Sequence, residues 1–191
     1  MNEQLWWYIA RSTGIVAWAL LAASVVWGLT ISTNRLGGAV LGTRARPSWL
    51  LDLHRFLGGL AVVFTGVHLV ALVLDTYVDF GLTELLVPMA SSYRPGPVAW
   101  GVAALYLLVA VELTSLLRRR ISKRAWRMTH MLSFPLFAFS TVHGLTAGTD
   151  ATGGALFWSM VSVSVVVFAL TIARIDQGRH RARTLAPPTP A

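Results

Sequence analysis

The stretch HRFLGGLAVVFTGVH, residues 54–68, decides how this chain is read. Past Arg55 it holds no charged residue, and the charge-free run continues to Leu74. A hydrocarbon core of ~30 Å takes roughly 20 apolar residues as helix, so residues 56–74 are expected to cross a bilayer. Histidines stand at both ends of the quoted stretch, His54 and His68, about 21 Å apart along a helix. Ionisable side chains at membrane depth are costly and point to function.

Working outward, four more charge-free stretches qualify as spans: 12–34, 95–111, 128–149 and 151–173. In the 95–111 stretch Glu112 can snorkel and let the helix run to Leu117, and Pro95 and Pro97 suit its first turn. Between the second and third spans, Phe80 to Tyr93 carries a short apolar run interrupted by Pro88, expected to be interfacial or re-entrant. The leader Met1–Ala10 has no basic residue and the first apolar stretch is too long for a signal peptide, so a retained helix is expected.

Composition agrees. Of 191 residues 55% are apolar and 13% charged, about half the usual quarter, and mean hydropathy is +0.62. The fold class expected is all-α: an integral membrane bundle of five transmembrane helices plus the interfacial or re-entrant segment. The domain spans 1–175, and 176–191 is expected to be a basic, Pro-rich, disordered cytoplasmic tail. With no cysteine, disulfides, iron–sulfur clusters, thiolate-bound haem and covalent c-type haem are excluded. No Gly-rich dinucleotide fingerprint or phosphate loop is present. Redox or nucleotide chemistry would need a non-covalent cofactor or a partner.

Fourteen of the 16 basic residues fall on one alternating side: Arg35, Arg44, Arg46, Arg55, the Arg118–Arg127 loop, and Arg174 to Arg183. Arg11 and Arg94 fall on the other, with Glu3, Asp75, Asp79, Glu84 and Asp150. The positive-inside rule then puts the N-terminus outside and the C-terminus in the cytoplasm of a plasma (inner) membrane. The formal charge of +8 is explained by basic loops beside membrane lipid, with no nucleic-acid partner.

Four of the five histidines lie in two spans, His54 and His68 on the second, His130 and His143 on the fourth. The two spans run parallel, so His54 matches His130 in depth and His68 matches His143. Zinc or di-iron centres call for three or more clustered ligands, usually with carboxylates. A porphyrin brings four nitrogens and needs two axial ligands, which each pair offers, so two b-type haems stacked across the bilayer are expected. The 14-residue spacing leaves His54 and His68 within about 40° of one face, but 13 residues put His130 and His143 about 140° apart on a straight helix. Pro135 lies between them, where a kink would change the facing. Gly58, Gly59 and Gly66 suit close approach of a flat macrocycle, or ordinary tight helix packing. For propionates, Arg55 and Arg127 suit the cytoplasmic haem and Arg11 the outer one, snorkelling to headgroups being the alternative. Glu112 reads as an interfacial carboxylate facing the 118–127 arginines, a proton or quinone contact being the alternative. His180 reads as a solvated tail residue.

The double spacing, His-x13-His and then His-x12-His two helices later, resembles the transmembrane haem domain of ferric reductases and NADPH oxidases. Arg11-Ser12-Thr13-Gly14 is similar to that superfamily's Arg-Ser/Ala-x-Gly stretch, and the resemblance covers about residues 5–175. It implies a bis-His haem at each leaflet carrying electrons outward, His54 with His130 holding the inner one and His68 with His143 the outer. The larger members have six spans and a cytoplasmic FAD/NADPH module. This chain, with five spans, is more similar to stand-alone bacterial members such as the haem-binding membrane subunit of the methionine sulfoxide reductase system. That likeness implies a separate cytoplasmic flavoprotein reductase or membrane quinol as donor, bringing flavin or quinone through a partner, and an extracytoplasmic acceptor. Two other functions stay open: a terminal ferric or oxygen reductase working from its own outer haem, with 75–94 lining the acceptor site, or a non-haem structural or transport subunit.

Overall fold

In hydrocarbon every backbone N–H and C=O has to be satisfied internally, which leaves helices as the cheap solution for apolar runs of this length. The computed structural model describes residues 4–32, 47–76, 78, 80–148 and 153–184. Among them are seven helices and no strand: α1 (Gln4–Ser32), α2 (Pro47–Leu74), α3 (Leu82–Leu86), α4 (Pro95–Leu116), α5 (Lys123–His130), α6 (Ser133–Ala147) and α7 (Ala155–Thr184). Four are long and apolar enough to cross a membrane: Gln4–Ser32, Ser48–Leu74, Pro95–Leu116 and Ala155–His180.

The expected fourth span, 128–149, is not one helix. It is divided between α5 and the 15-residue α6, with a turn at Met131–Leu132. Pro135 accounts for the division. It has no N–H to offer Met131 O. That carbonyl is taken instead by Phe134 N at 3.2 Å, and Leu132 N bonds Thr129 O at 3.0 Å, both tighter three-residue steps. The regular ladder resumes with Leu136 N to Leu132 O, 2.9 Å. Pro135 itself sits in the first turn of α6, where a missing N–H costs nothing.

The core is assembled mainly around α1. Ala22, Val25 and Leu29 of α1 pack with Phe137 of α6 and Val167 of α7, while Leu21 reaches the cluster of Ala104, Leu108 and Leu136 that joins α4 to α6. Trp18 Nε1 donates to Thr141 Oγ1 at 2.9 Å, tying α1 to α6, and Trp27 Nε1 donates to Leu50 O at 3.0 Å, tying the end of α1 to the start of α2. Large apolar side chains elsewhere point outward, among them Val63, Leu116 and Phe168, as a lipid-facing surface requires.

The 80–93 segment folds back onto the bundle. Phe80 and Leu85 are buried with Val98 and Val102 of α4 and pack on Leu69 and Leu72 of α2. The Tyr106 hydroxyl donates to Leu86 O at 2.6 Å. Arg94, at φ 41, turns the chain into α4, whose first turn holds Pro95 and Pro97 as expected. At the other terminus α7 continues to Thr184, so residues 176–184 are helical where a disordered tail was expected. Arginine and glutamine are good helix formers, and His180 Nε2 lies 3.5 Å from Asp176 Oδ2 one turn earlier. Residues 185–191 lie outside the described residues, as do Arg35, Arg44 and Arg46 of the 33–46 connection.

Thr141→Val removes the acceptor for Trp18 Nε1 while keeping the side-chain shape. Interhelical hydrogen bonds of this kind contribute about 0.6–1.7 kcal/mol, and reversible unfolding in mixed micelles is expected to show a loss in that range. An unchanged midpoint would show that the bond does not hold α1 to α6.

Candidate metal centres

α2 and α6 run in the same direction, which sets their four histidines at two levels. At the level nearer the Arg118–Arg127 connection, the rings of His54 and His130 lie 5.9 Å apart, centroid to centroid, with planes at 78°. The break before α6 is what permits this, since His130 ends α5 and is freed from the register of His143. At the opposite level His68 and His143 line one cavity of about 330 Å³, a volume within the usual range for cofactor pockets. The cavity is lined by residues of α1, α2, α4, α6 and α7 and of the 75–93 segment, with Phe80, Glu84 and Tyr93 in its wall. His54 thus stands beside His130 at one level, and His68 shares a cavity with His143 at the other.

Three of the imidazoles are held through Nδ1 by backbone carbonyls of other helices. His68 Nδ1 is 2.7 Å from Ala10 O and His143 Nδ1 is 2.9 Å from Pro97 O. His54 Nδ1 is 3.0 Å from Ser24 O and 3.1 Å from Ser24 Oγ. A carbonyl only accepts, so Nδ1 carries the proton and the Nε2 lone pair is left for a metal. His130 differs. Its Nδ1 is buried without a hydrogen-bond partner among the described residues, as is Trp126 Nε1, and the two rings stack at 5.1 Å and 20°. Arg118 in turn lies 4.7 Å over the Trp126 ring.

The other predicted site residues fall as follows. Arg11 lines the His68–His143 cavity, its guanidinium 5.0 Å over the Trp7 ring. Arg55 and Arg127 are exposed at the His54–His130 end, Arg55 pairing with Asp52 at 3.6 Å and Arg127 Nε donating to Lys123 O at 3.4 Å. Gly58 faces Glu112, whose Oε1 would lie 3.0 Å from a Cβ at that position. Glu112 thus packs onto α2 and not toward the arginines of 118–127. Gly59 and Gly66 have no atom within 4 Å of where a Cβ would stand. The glycines that meet histidine rings are three others, Gly14 against His68, Gly28 against His54 and Gly101 against His143. Sequence reasoning noted Gly14 only as part of a motif and passed over Gly28 and Gly101. A signal was available: Gly14 and Gly28 are separated by the same 14 residues as His54 and His68.

Among the described residues no group of three or more His, Asp or Glu side chains could hold a metal ion by itself. Two facing imidazoles suit a metal that already has an equatorial ligand set, as a porphyrin provides. With metal–nitrogen bonds of about 2.0–2.1 Å a shared axial position puts the ring centroids roughly 6 Å apart, close to the His54–His130 separation. The donor set and the three fixed tautomers fit such a group.

A family described as ferric reductase like transmembrane component matches residues 13–141 of the chain. The matched stretch contains His54, His68 and His130 and ends just short of His143. No curated protein and no solved structure matches the chain.

Pro135→Ala restores an N–H at position 135 and lets α5 and α6 join in one ladder, turning His130 away from His54. The distance between spin labels placed at positions 54 and 130 is expected to lengthen. An unaltered distance would show that the break does not depend on Pro135.

Proposed function

The chain belongs to the ferric reductase-like transmembrane family, and from that premise we propose that it conducts electrons across a membrane through two bis-histidine b-type haems. The observation that carries the reading is the pairing of four histidines at two levels, three of them with Nδ1 engaged and Nε2 available. Haem when bound supplies a one-electron ferric/ferrous couple. The protein's own part is to hold and insulate it. His54 and His130 hold the inner haem, His68 and His143 the outer one, and the apolar walls of the outer cavity exclude water. Arg11 provides a cation for the outer propionates, with Arg55 and Arg127 at the cytoplasmic end.

In this reading α6 and the turn before it supply a fifth crossing, at the short end of the spanning range. The N-terminus lies outside and the basic connections face the cytoplasm. Electrons arrive from a separate flavoprotein reductase or membrane quinol and leave to an extracytoplasmic acceptor. A second reading makes the chain the terminal reductase of ferric complexes or oxygen. It is favoured by one feature, the wall of the outer cavity that buried Asp75, Glu84 and Tyr93 contribute, since an acceptor docking there would sit beside the outer haem.

His68→Ala and His143→Ala are each expected to abolish the same one of two haem signals in reduced-minus-oxidised spectra, with the other largely retained. His54→Ala and His130→Ala should abolish the complementary signal, and His180→Ala should leave both. Retention of both signals in His68→Ala would overturn the ligand assignment. Orientation is checked separately: a cysteine placed at position 2 should react with an impermeant maleimide from outside intact cells, and one at position 121 only after permeabilisation. The reverse pattern would invert the wire.

A further inference from the structure

Three histidines are seated in one way, and the register of the seat is informative. His68 Nδ1 bonds Ala10 O and its ring lies against Gly14; His54 Nδ1 bonds Ser24 O and its ring lies against Gly28; His143 Nδ1 bonds Pro97 O and its ring lies against Gly101. In every case the glycine follows the accepting carbonyl by four residues. In an α-helix carbonyl i is already bonded to N–H i+4. The side chain at i+4 tilts toward the N-terminus and covers the turn from which that carbonyl emerges. At these three places the imidazole that reaches carbonyl i lies flat against position i+4, where a Cβ would stand in its way. A Cβ at Gly101 would stand 2.8 Å from both Nδ1 and Cε1 of His143, one at Gly14 3.0 Å from His68 Nδ1, and one at Gly28 3.2 Å from His54 Cε1. All three are closer than ordinary van der Waals contact. Gly59, Gly66 and Gly96, which serve no such bond, have nothing within 4 Å.

We infer that the carbonyl–glycine pairs Ala10/Gly14, Ser24/Gly28 and Pro97/Gly101 are imidazole seats, positioning elements on α1 and α4 that fix the tautomer and plane of each ligand histidine and present Nε2 to haem iron. The inference rests on the haem reading above. It adds the backbone of α1, which bears no ligand histidine, to the binding machinery at both levels. It also makes the two levels unequal. Among the described residues His130 has no seat, only the stacked Trp126, so there the inner haem has one seated ligand and the outer haem two. A hydrogen bond from Nδ1 raises the basicity of the ligating nitrogen, and the inner haem is therefore the more readily lost.

The test compares full-length variants in detergent with the His68→Ala and His54→Ala spectra as references. Gly14→Ala and Gly101→Ala are expected to lose or shift the signal that His68→Ala loses, and Gly28→Ala the signal that His54→Ala loses. Outer-level partners of metal ligands typically contribute about 10–100-fold in affinity, and haem transfer to excess apomyoglobin from the affected level should accelerate on that scale. Gly96→Ala should match the wild type, whose inner haem should transfer before its outer one. A second measurement does not depend on how well the glycine variants fold. His68→Gly opens a cavity that imidazole can fill while donating to Ala10 O, and 1-methylimidazole can fill only without donating. Imidazole should restore the low-spin outer haem at concentrations about 10-fold lower or more. Equal potency of the two probes, wild-type haem retention in Gly14→Ala and Gly28→Ala, or loss of both haems together in each variant would overturn the seats. A wild-type protein without haem would instead overturn the proposed function.

Discussion

A neutral imidazole in a membrane interior has an N–H that cannot be left to hydrocarbon, and in this protein three of four such groups are given to carbonyls of a neighbouring helix. Much of the arrangement depends on that exchange. It sets the depth of α1 against α2, because Ala10 and Ser24 stand the same 14 residues apart as His68 and His54. It sets α4 against α6 through Pro97 and His143. It also decides which nitrogen each ring shows to the space between the helices, and thus what the pairs can bind.

Helices in lipid gain little from burying apolar surface against one another, since the acyl chains offer the same contact. Packing detail and interhelical polar bonds then carry a larger share of specificity. The seating bonds, with Trp18 to Thr141 and Trp27 to Leu50, form a sparse set of such fixings around α1. That helix has no metal-ligating residue of its own, yet it touches α2, α6 and α7 and borders both levels. The buried cluster of Ala22, Val25, Leu29, Phe137 and Val167 fills the space between its fixings.

The spans and the two histidine pairs were legible because they rest on periodicity and depth, which a single helix reveals in one dimension. Charge-free runs marked α1, α2, α4 and α7, and equal depth paired His54 with His130 and His68 with His143. The 140° mismatch on the fourth span pointed to Pro135, but the break falls at Met131–Leu132, three to four residues earlier, because proline disturbs the carbonyl one turn before it. The helical continuation to Thr184 was obscured by reading basic composition as a tail. The seats at Gly14, Gly28 and Gly101 are contacts between helices. The 14-residue spacing of Gly14 and Gly28 hinted at two of them, but glycines in a membrane chain have too many other uses for spacing alone to show what they meet. Gly58 illustrates the difficulty: it lies near a ligand in sequence, and in the structure it makes room for Glu112.

The most direct test of the account is the haem content of the purified wild-type protein, measured by pyridine haemochrome against protein concentration and accompanied by a reduced-minus-oxidised spectrum. Two b-type haems per chain with low-spin, bis-histidine features are the predicted result. A protein that stays colourless after expression with ample haem would contradict the account at its centre, leaving four well-placed histidines without the cofactor that explains them.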